Sequence, residues 1–335
     1  MVRMRGTPIP TSSSLVRYHG PHDENTVNAA LQRAASALFA SDAVLVAVGA
    51  GMGVDSGIPD FRGTESLFAG FEQPMSYEQM SNSEHFQRDP AFAWGVNYVQ
   101  LELYRRAQPH DGFARILSWM QALGKPWFAF TSNIDGQLQK AGFPDRQVIA
   151  CHGDLRYLQC TEAACAYGPR SAGGAPAVWR HSLPPGLEVE HSSLRLASPE
   201  LLQERTMRCP RCGSLARPNV WFCHDRGFVV GEHAREKASR FESWLLSLRH
   251  AKRNVAVLEI GAGLAIPTVR KKTEEVVAAC GQSSCLIRIN PKDYTTPFTT
   301  MSKAVSLPMG AQEALARIDS ALASLVGTVQ KSQPP

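Results

Sequence analysis

No stretch of this 335-residue chain approaches the ~20 consecutive apolar residues that a membrane-spanning helix requires, so no membrane partner is expected. The opening MVRMRGTPIPTSSS has basic residues but lacks the apolar segment of a secretory signal. Charge is sparse: 19% of residues are charged, for a net charge of +5. No dense Lys/Arg block interleaved with aromatics occurs, so no specific nucleic-acid partner is expected. The short run Arg270–Lys272 reads as a solvated helix face. No glycine-rich loop carries the Lys-Ser/Thr of a phosphate-binding P-loop, which disfavours nucleoside triphosphate hydrolysis. The first such loop also lacks GxGxxG, which disfavours a plain dehydrogenase. Eight cysteines are too few for a disulfide scaffold at this length. Four of them pair at metal-ligand spacing, pointing to a reducing compartment, by default the cytoplasm.

Hydrophobic residues at 44% give ample material for a core, and the length favours one large domain with appended modules, or two domains. Apolar spacing at Val27, Leu31, Ala34, Ala35 and Leu38 predicts a helix leading into Ala43–Val48. That run is apolar throughout, as a strand buried on both faces should be. Similar runs stand at Trp127–Phe130, Val148–Cys151, Val255–Ile260 and Cys285–Ile289, with helical patterns at Gly112–Leu123, Arg240–Arg249 and Val269–Ala279. Strands alternating with helices predict a doubly wound, parallel α/β sheet. Two segments break the alternation: 64–110, around a helix at Ala91–Arg106, and 155–217, rich in Gly, Pro, Ser and Cys. Both read as insertions. Residues 1–24 and 328–335 read as flexible tails.

Chemistry gathers at strand ends. Gly49 and Gly51 follow the first strand, where a turn brings backbone amides toward a ligand phosphate. Asn133 and Asp135 follow the second strand, although Asn-x-Asp is also a common turn and cap pattern. His152 follows the third; an imidazole near its ordinary pKa can accept a hydroxyl proton at neutral pH. The neighbouring Cys151 points oppositely and reads as a core residue. Cys160-x4-Cys165 and Cys209-x2-Cys212 form two knuckles, a tetrahedral zinc pattern with no open position, hence one structural zinc ion. Cys223, Cys280 and Cys285 have no partner at ligand spacing and read as buried apolar residues.

GAGMGVDSGIPDFRG at Gly49–Gly63, TSNIDG at Thr131–Gly136 and CHG at Cys151–Gly153, followed by the paired cysteines, resemble the sirtuins, which consume NAD to remove acyl groups from lysine. The resemblance spans roughly residues 25–320 and implies a Rossmann-like catalytic domain at 25–327, with a helical insertion (64–110) and a zinc module (155–217). It implies that Gly49, Ala50, Gly51, Ile58, Asp60, Phe61 and Arg62 form the cofactor loop, Ala50 and Ile58 lining the nicotinamide pocket. By the same resemblance, Ser132, Asn133, Ile134 and Asp135 hold the ribose and carboxamide. Gly261, Ala262 and Gly263 meet phosphates and ribose, Asn290 meets the adenosine ribose, and Ala311 approaches the adenine. His152 is implied to be the general base, with Asn133 and Asp135 as its catalytic companions, acting on an acylated-lysine protein or peptide. The products implied are nicotinamide, O-acyl-ADP-ribose and free lysine.

The chain departs from the family pattern at Gly53 (usually Ser), Ser132 (usually Gln) and Ala262-Gly263 (usually Thr-Ser). It departs most at Cys223-His224, where a side chain stands for a glycine beside the peptide groove and must either occupy its mouth, narrowing or reshaping it, or turn outward. That departure keeps an ADP-ribosyltransferase or NAD glycohydrolase open as an alternative. The lost side-chain contacts at the other positions keep a non-catalytic NAD or ADP-ribose sensor open as well. Tyr98, Tyr104 and Arg105 lie in the region where a reader of acidic acyl groups would stand, without a clear register. Oligomeric state and acyl preference are not legible.

Overall fold

The computed structural model describes residues 23–60, 76–167, 175–190, 192–297 and 302–332. Most of the expected N-terminal tail lies outside them. Asp23 accepts hydrogen bonds from the Asn25 and Thr26 amides and starts α1 (Glu24–Ala40), whose buried residues are Leu31, Ala34, Ala35 and Leu38. A side-chain cap of this kind satisfies donors that the first turn otherwise leaves open. The chain continues through β1 (Ala43–Val48), a 3-10 turn over Ala50–Ser56, α2 (Tyr77–Met80), α3 (His85–Arg88), α4 (Pro90–Arg106) and α5 (Asp111–Leu123). Next come β2 (Trp127–Thr131), α6 (Gln137–Lys140), β3 (Val148–Ala150), β4 (Gly153–Cys160), α7 (Ala163–Tyr167), β5 (Val178–Arg180) and β6 (Ala216–Val220). The last third holds α8 (Glu232–His250), β7 (Val255–Ile260), α9 (Thr268–Ala279), β8 (Cys285–Ile289), β9 (Ala304–Leu307) and α10 (Ala311–Ser332).

Six strands form one sheet in the order β3-β2-β1-β7-β8-β9, every neighbouring pair parallel. Each residue of β1 is buried, and successive side chains enter opposite layers. Val44, Val46 and Val48 join α1, α5 and α10 on one face. Ala43, Leu45 and Ala47 join α8 and α9 on the other. This is the two-sided burial that the unbroken apolar run predicts. The chain winds from β1 outward to β3, then returns to β7 on the opposite side of β1. The strand order therefore reverses between β1 and β7, the place where open α/β sheets bind ligands.

A second, three-stranded sheet, β5-β4-β6, is antiparallel and carries the cysteine pairs. Beside it α4 buries Trp94, whose indole donates to the Ala216 carbonyl at 3.0 Å. Pro90 opens α4 and Asp89 caps it through the Phe92 amide, one position before the expected start.

Four expectations need correction. Helix α8 begins at Glu232, well before Arg240, because its first turns (EHAREKAS) are polar and carry little apolar period. Strand β9 and helix α10 were not anticipated, and α10 runs past Thr328 to Ser332, so the expected tail from Thr328 is largely helix. Arg270 is 5% exposed, not on a solvated face. Cys223, Cys280 and Cys285 are each half-buried rather than enclosed. Among the described residues no helix is long and apolar enough to cross a membrane.

Candidate active site

Five loops leave the same edge of the parallel sheet, after β1, β2, β3, β7 and β8. The first and fourth are pressed together. The Gly49 amide donates to the Ile260 carbonyl at 2.9 Å and the Gly51 amide to the Gly261 carbonyl at 3.0 Å. Gly261 sits at φ +64, and a Cβ there would fall 2.4 Å from the Met52 nitrogen, so only glycine allows this approach. The Gly49 and Gly51 amides are thus engaged within the protein and do not face a ligand as the turn had suggested. Among the described residues the amides of Ala262 and Gly263 have no acceptor, and Ala262 is 3% exposed. Those two donors, close to the buried end of the sheet, fit a phosphate. At Gly53, a side chain would press on Ile58, 3.2 Å from its Cβ; glycine here lets Ile58 pack into the core. Ile58 is buried beside Ile134. Asp60 and Ala50 are half-buried at the loop's ends. Phe61 and Arg62 lie outside the described residues.

The second loop is fastened to the first. The Asn133 side-chain amide donates to the Gly49 carbonyl at 3.0 Å, and the Asn133 backbone amide to the Thr131 hydroxyl at 3.0 Å. Asp135 accepts from the Gln137 amide at 2.9 Å. Burial pushes its carboxyl up to about 6, with the Asp154 carboxylate adding to the rise. The Ser132 backbone amide donates to the Val48 carbonyl at 3.3 Å.

His152 lies just beyond β3. Gly153, at φ +84, turns the chain at once into β4, and a Cβ there would meet the Asn219 carbonyl oxygen at 2.1 Å. The imidazole Nε2 is 3.2 Å from the Thr268 hydroxyl at the start of α9. Its ring meets Trp221 edge-on with centroids 5.9 Å apart. Burial holds the imidazole below its ordinary range, and a hydrogen bond to the Ser132 backbone pulls it part of the way back. The ring is therefore neutral near pH 7, with one nitrogen able to accept. Cys151, beside it, packs against the β1–β7 core layer. Burial pushes its thiol up to about 12, so it is no thiolate nucleophile.

The fourth and fifth loops are held from below by charges that the sequence reading missed. Glu259 and Arg288 face one another across β7 and β8, with Arg288 Nε 2.6 Å from Glu259 Oε1. Their side chains are 1% and 0% exposed. Arg288 also reaches Glu274 and the Thr295 carbonyl. Arg270 donates to the carbonyls of Ala262, Asp293 and Thr295. Asn290 donates to the Ala262 carbonyl at 3.0 Å and accepts from the Lys292 and Asp293 amides, which leaves it one free N–H. Ala311 begins α10, and the next amide, of Gln312, donates to Asp55 at 2.8 Å. That bond ties the helix to the 3-10 turn after β1.

The four knuckle cysteines converge, as their spacing predicts. All four sulfurs lie within 4.8 Å of one another, with Cys160–Cys212 at 3.5 Å and Cys165–Cys209 at 3.8 Å. A tetrahedron with Zn–S near 2.3 Å separates its sulfurs by about 3.8 Å, so the donor set fits zinc. The Glu162 and Arg211 amides point at the Cys160 and Cys209 sulfurs, donors suited to thiolates.

At Cys223-His224 the structure takes the second of the two expected courses. The Cys223 amide donates to the Ser81 carbonyl at 2.8 Å. His224 adopts φ +56 and turns outward, its ring 2.7 Å from Glu78 with the side chain 84% exposed. The imidazole therefore does not narrow the groove.

The Sir2 family model matches residues 49–243, which contain the first three motifs and the zinc knuckles. The chain is 32% identical over 179 residues to an NAD-dependent protein deacetylase of Chromobacterium violaceum, covering 53% of this chain and 59% of that protein. It is 29% identical over 180 residues to an NAD-dependent protein deacylase of Aquifex aeolicus, covering 53% and 61%. The match thus spans about three fifths of the length of these relatives. The fold resembles the crystal structure of a Sir2 homolog–NAD complex, with a TM-score of 0.58 at 21% identity over 88% of this chain and 94% of that one. Motif order, sheet topology, the cysteine tetrad and a family match over more than half the chain agree: the chain belongs to the Sir2 family.

Proposed function

We propose that the protein is an NAD-dependent protein-lysine deacylase, most simply a deacetylase, with an acylated-lysine protein or peptide as substrate. The observation that carries this reading is the neutral His152 at the convergence of the β1, β2, β3 and β7 loops, where an acceptor nitrogen stands ready for a hydroxyl proton. Bound NAD would supply the ribose that accepts the acyl group, with nicotinamide as the leaving group. Asn133, fixed to the Gly49 carbonyl, orients that ribose, and Asp135 accepts from the carboxamide. Ala50, Ile58 and Ile134 exclude water from the ring. Ala262 and Gly263 offer amides to the phosphates, and Asn290 and Ala311 stand on the adenosine side. The protein need not furnish a nucleophile, which agrees with the unreactive Cys151.

One zinc ion, held by Cys160, Cys165, Cys209 and Cys212, has a structural role in this reading. The proposed organisation is one catalytic unit from residue 25, with the helical insertion at 64–110 and the zinc module at 155–217. Free cysteines throughout favour a cytoplasmic location.

One observation favours a second reading, ADP-ribose transfer or NAD hydrolysis. The Cys223 amide, on the edge where a peptide strand would pair, is already engaged by Ser81. Incubation with NAD and acyl-lysine peptides, with products identified by mass, separates the two. Deacylated peptide with O-acyl-ADP-ribose is the expected outcome. ADP-ribosylated protein, or free ADP-ribose with intact peptide, would support the second reading.

A further inference from the structure

The peptide group between Ala262 and Gly263 lies in the loop after β7, at the point where the strand order reverses. Its carbonyl accepts two hydrogen bonds, from Asn290 Nδ2 at 3.0 Å and from Arg270 Nη1 at 3.3 Å. Among the described residues its N–H, on Gly263, has no acceptor. The peptide is trans, so its N–H and C=O point to opposite sides. With the carbonyl held toward α9 and β8, the N–H is turned away from them. Gly263 is half-buried there rather than enclosed.

Arg270 stands in the first turn of α9 and is 5% exposed. It also donates to the Asp293 carbonyl at 2.7 Å and the Thr295 carbonyl at 2.8 Å. One planar guanidinium thus spans two loops: the one after β7 that offers amides, and the one after β8 that follows Asn290. Arg288, close by, is answered by the carboxylates of Glu259 and Glu274. Arg270 instead ends on main-chain oxygens. Donation to a carbonyl polarises the peptide and strengthens the N–H on its far side as a donor. Ala262 and Gly263 have no side-chain donor, so the aim of this backbone N–H is what the segment can offer a phosphate.

We propose that Arg270 is a positioning residue for the dinucleotide. By holding the carbonyls of Ala262, Asp293 and Thr295 together, it aims the Gly263 N–H at the diphosphate and fixes the adenosine-side loop beside it. This deepens the NAD-dependent reading and rests on it.

The test compares native protein with Arg270→Met and Arg270→Lys. Calorimetry gives the Kd for ADP-ribose, fluorescence anisotropy the affinity for an acetyl-lysine peptide, and steady-state deacetylation the kcat and the KM for NAD. In Arg270→Met, Kd and KM should rise about tenfold or more, as expected when a charge-assisted hydrogen bond no longer supports the site. Peptide affinity and kcat at saturating NAD should stay within about twofold of native. Arg270→Lys keeps the charge without the planar fork, and its Kd should fall between the other two. A purely structural role would not give this split. A smaller folded fraction lowers kcat per mole of protein and leaves KM alone. A displaced α9 would also lower kcat, because Thr268 in the same turn reaches His152.

Kd and KM within about twofold of native in Arg270→Met, whatever the change in kcat, would overturn the proposal. If that variant does not fold, Arg270→Lys decides: a rise in Kd of about threefold or more supports it, and a native Kd overturns it. Native protein that binds ADP-ribose but deacylates no peptide would reject deacylation alone, and the comparison of Kd values would still decide. Native protein that does not bind ADP-ribose would reject the NAD-dependent reading, and this inference with it.

Discussion

The His152 Nε2 lies 3.2 Å from the Thr268 hydroxyl, joining the end of β3 to the first turn of α9. Burial holds this imidazole below its ordinary range, so the neutral base persists to lower pH than for a free histidine. The acid limb of kcat/KM for deacylation should therefore fall below about pH 6.5, the unperturbed value. His152→Ala should reduce turnover by ~10²–10⁴ while NAD binding, measured by calorimetry, changes little. An acid limb above pH 7, or near-native turnover in the variant, would remove His152 from the proposed role.

Stability should decline on mild acidification. His110, His152, His181 and His233 are all lowered by burial. As pH falls through the ordinary histidine range, the unfolded chain takes up protons that the native protein refuses, and stability is lost. Asp135 works in the opposite sense. Its carboxyl is raised to about 6, so the native state takes up a proton first and gains stability as pH falls through 6. Four groups should outweigh one, and the urea midpoint should be lower at pH 5.5 than at pH 7.5. Asp135→Asn should raise the midpoint at pH 7.5 and steepen the loss toward pH 5.5.

Cys209→Ser should release about one zinc per chain and loosen the β4–β5–β6 sheet, because metal binding and local folding are coupled in such sites. Cys151→Ser should leave the metal content unchanged. Inductively coupled plasma analysis of both variants reads the difference directly, and native protein without zinc would refute the assignment.

The Glu259–Arg288 pair is enclosed, with side chains 1% and 0% exposed. Arg288→Met leaves Glu259 as an uncompensated buried charge and should cost about 3–5 kcal/mol by urea denaturation. The double variant Glu259→Leu/Arg288→Met should recover most of that loss, since neither charge then remains unpaired. Additive losses in the double variant would show that the pair is not the unit supporting the β7 and β8 loops.

His224 holds a left-handed backbone conformation at φ +56, costly for any residue but glycine. With its ring turned outward toward Glu78, His224→Gly should stabilise the protein by about 1 kcal/mol. Deacetylation should stay within about threefold of native, since no imidazole is cleared from the groove. A tenfold gain in kcat/KM would show instead that the ring does obstruct substrate.

The sequence determined five of the six strands of the parallel sheet and the positions of the motifs. Runs such as Ala43–Val48 and Val255–Ile260 have one physical solution, burial on both faces, and their boundaries in the structure match those in the sequence. Local signals also sufficed for the cysteine knuckles, because the spacing of metal ligands is set along the chain. What escaped were properties of pairing between distant segments. Glu259 and Arg288 each interrupt an apolar strand by a single charge, but only the β7–β8 register puts them opposite one another. Arg270 stands in a basic run that looks solvated until the carbonyls of Ala262, Asp293 and Thr295 close around it. His224 looks like an obstruction until its backbone turns left-handed and sends the ring outward. Local sequence fixes the period of a helix or strand; the direction in which a polar side chain finds its partner is decided only when distant segments meet.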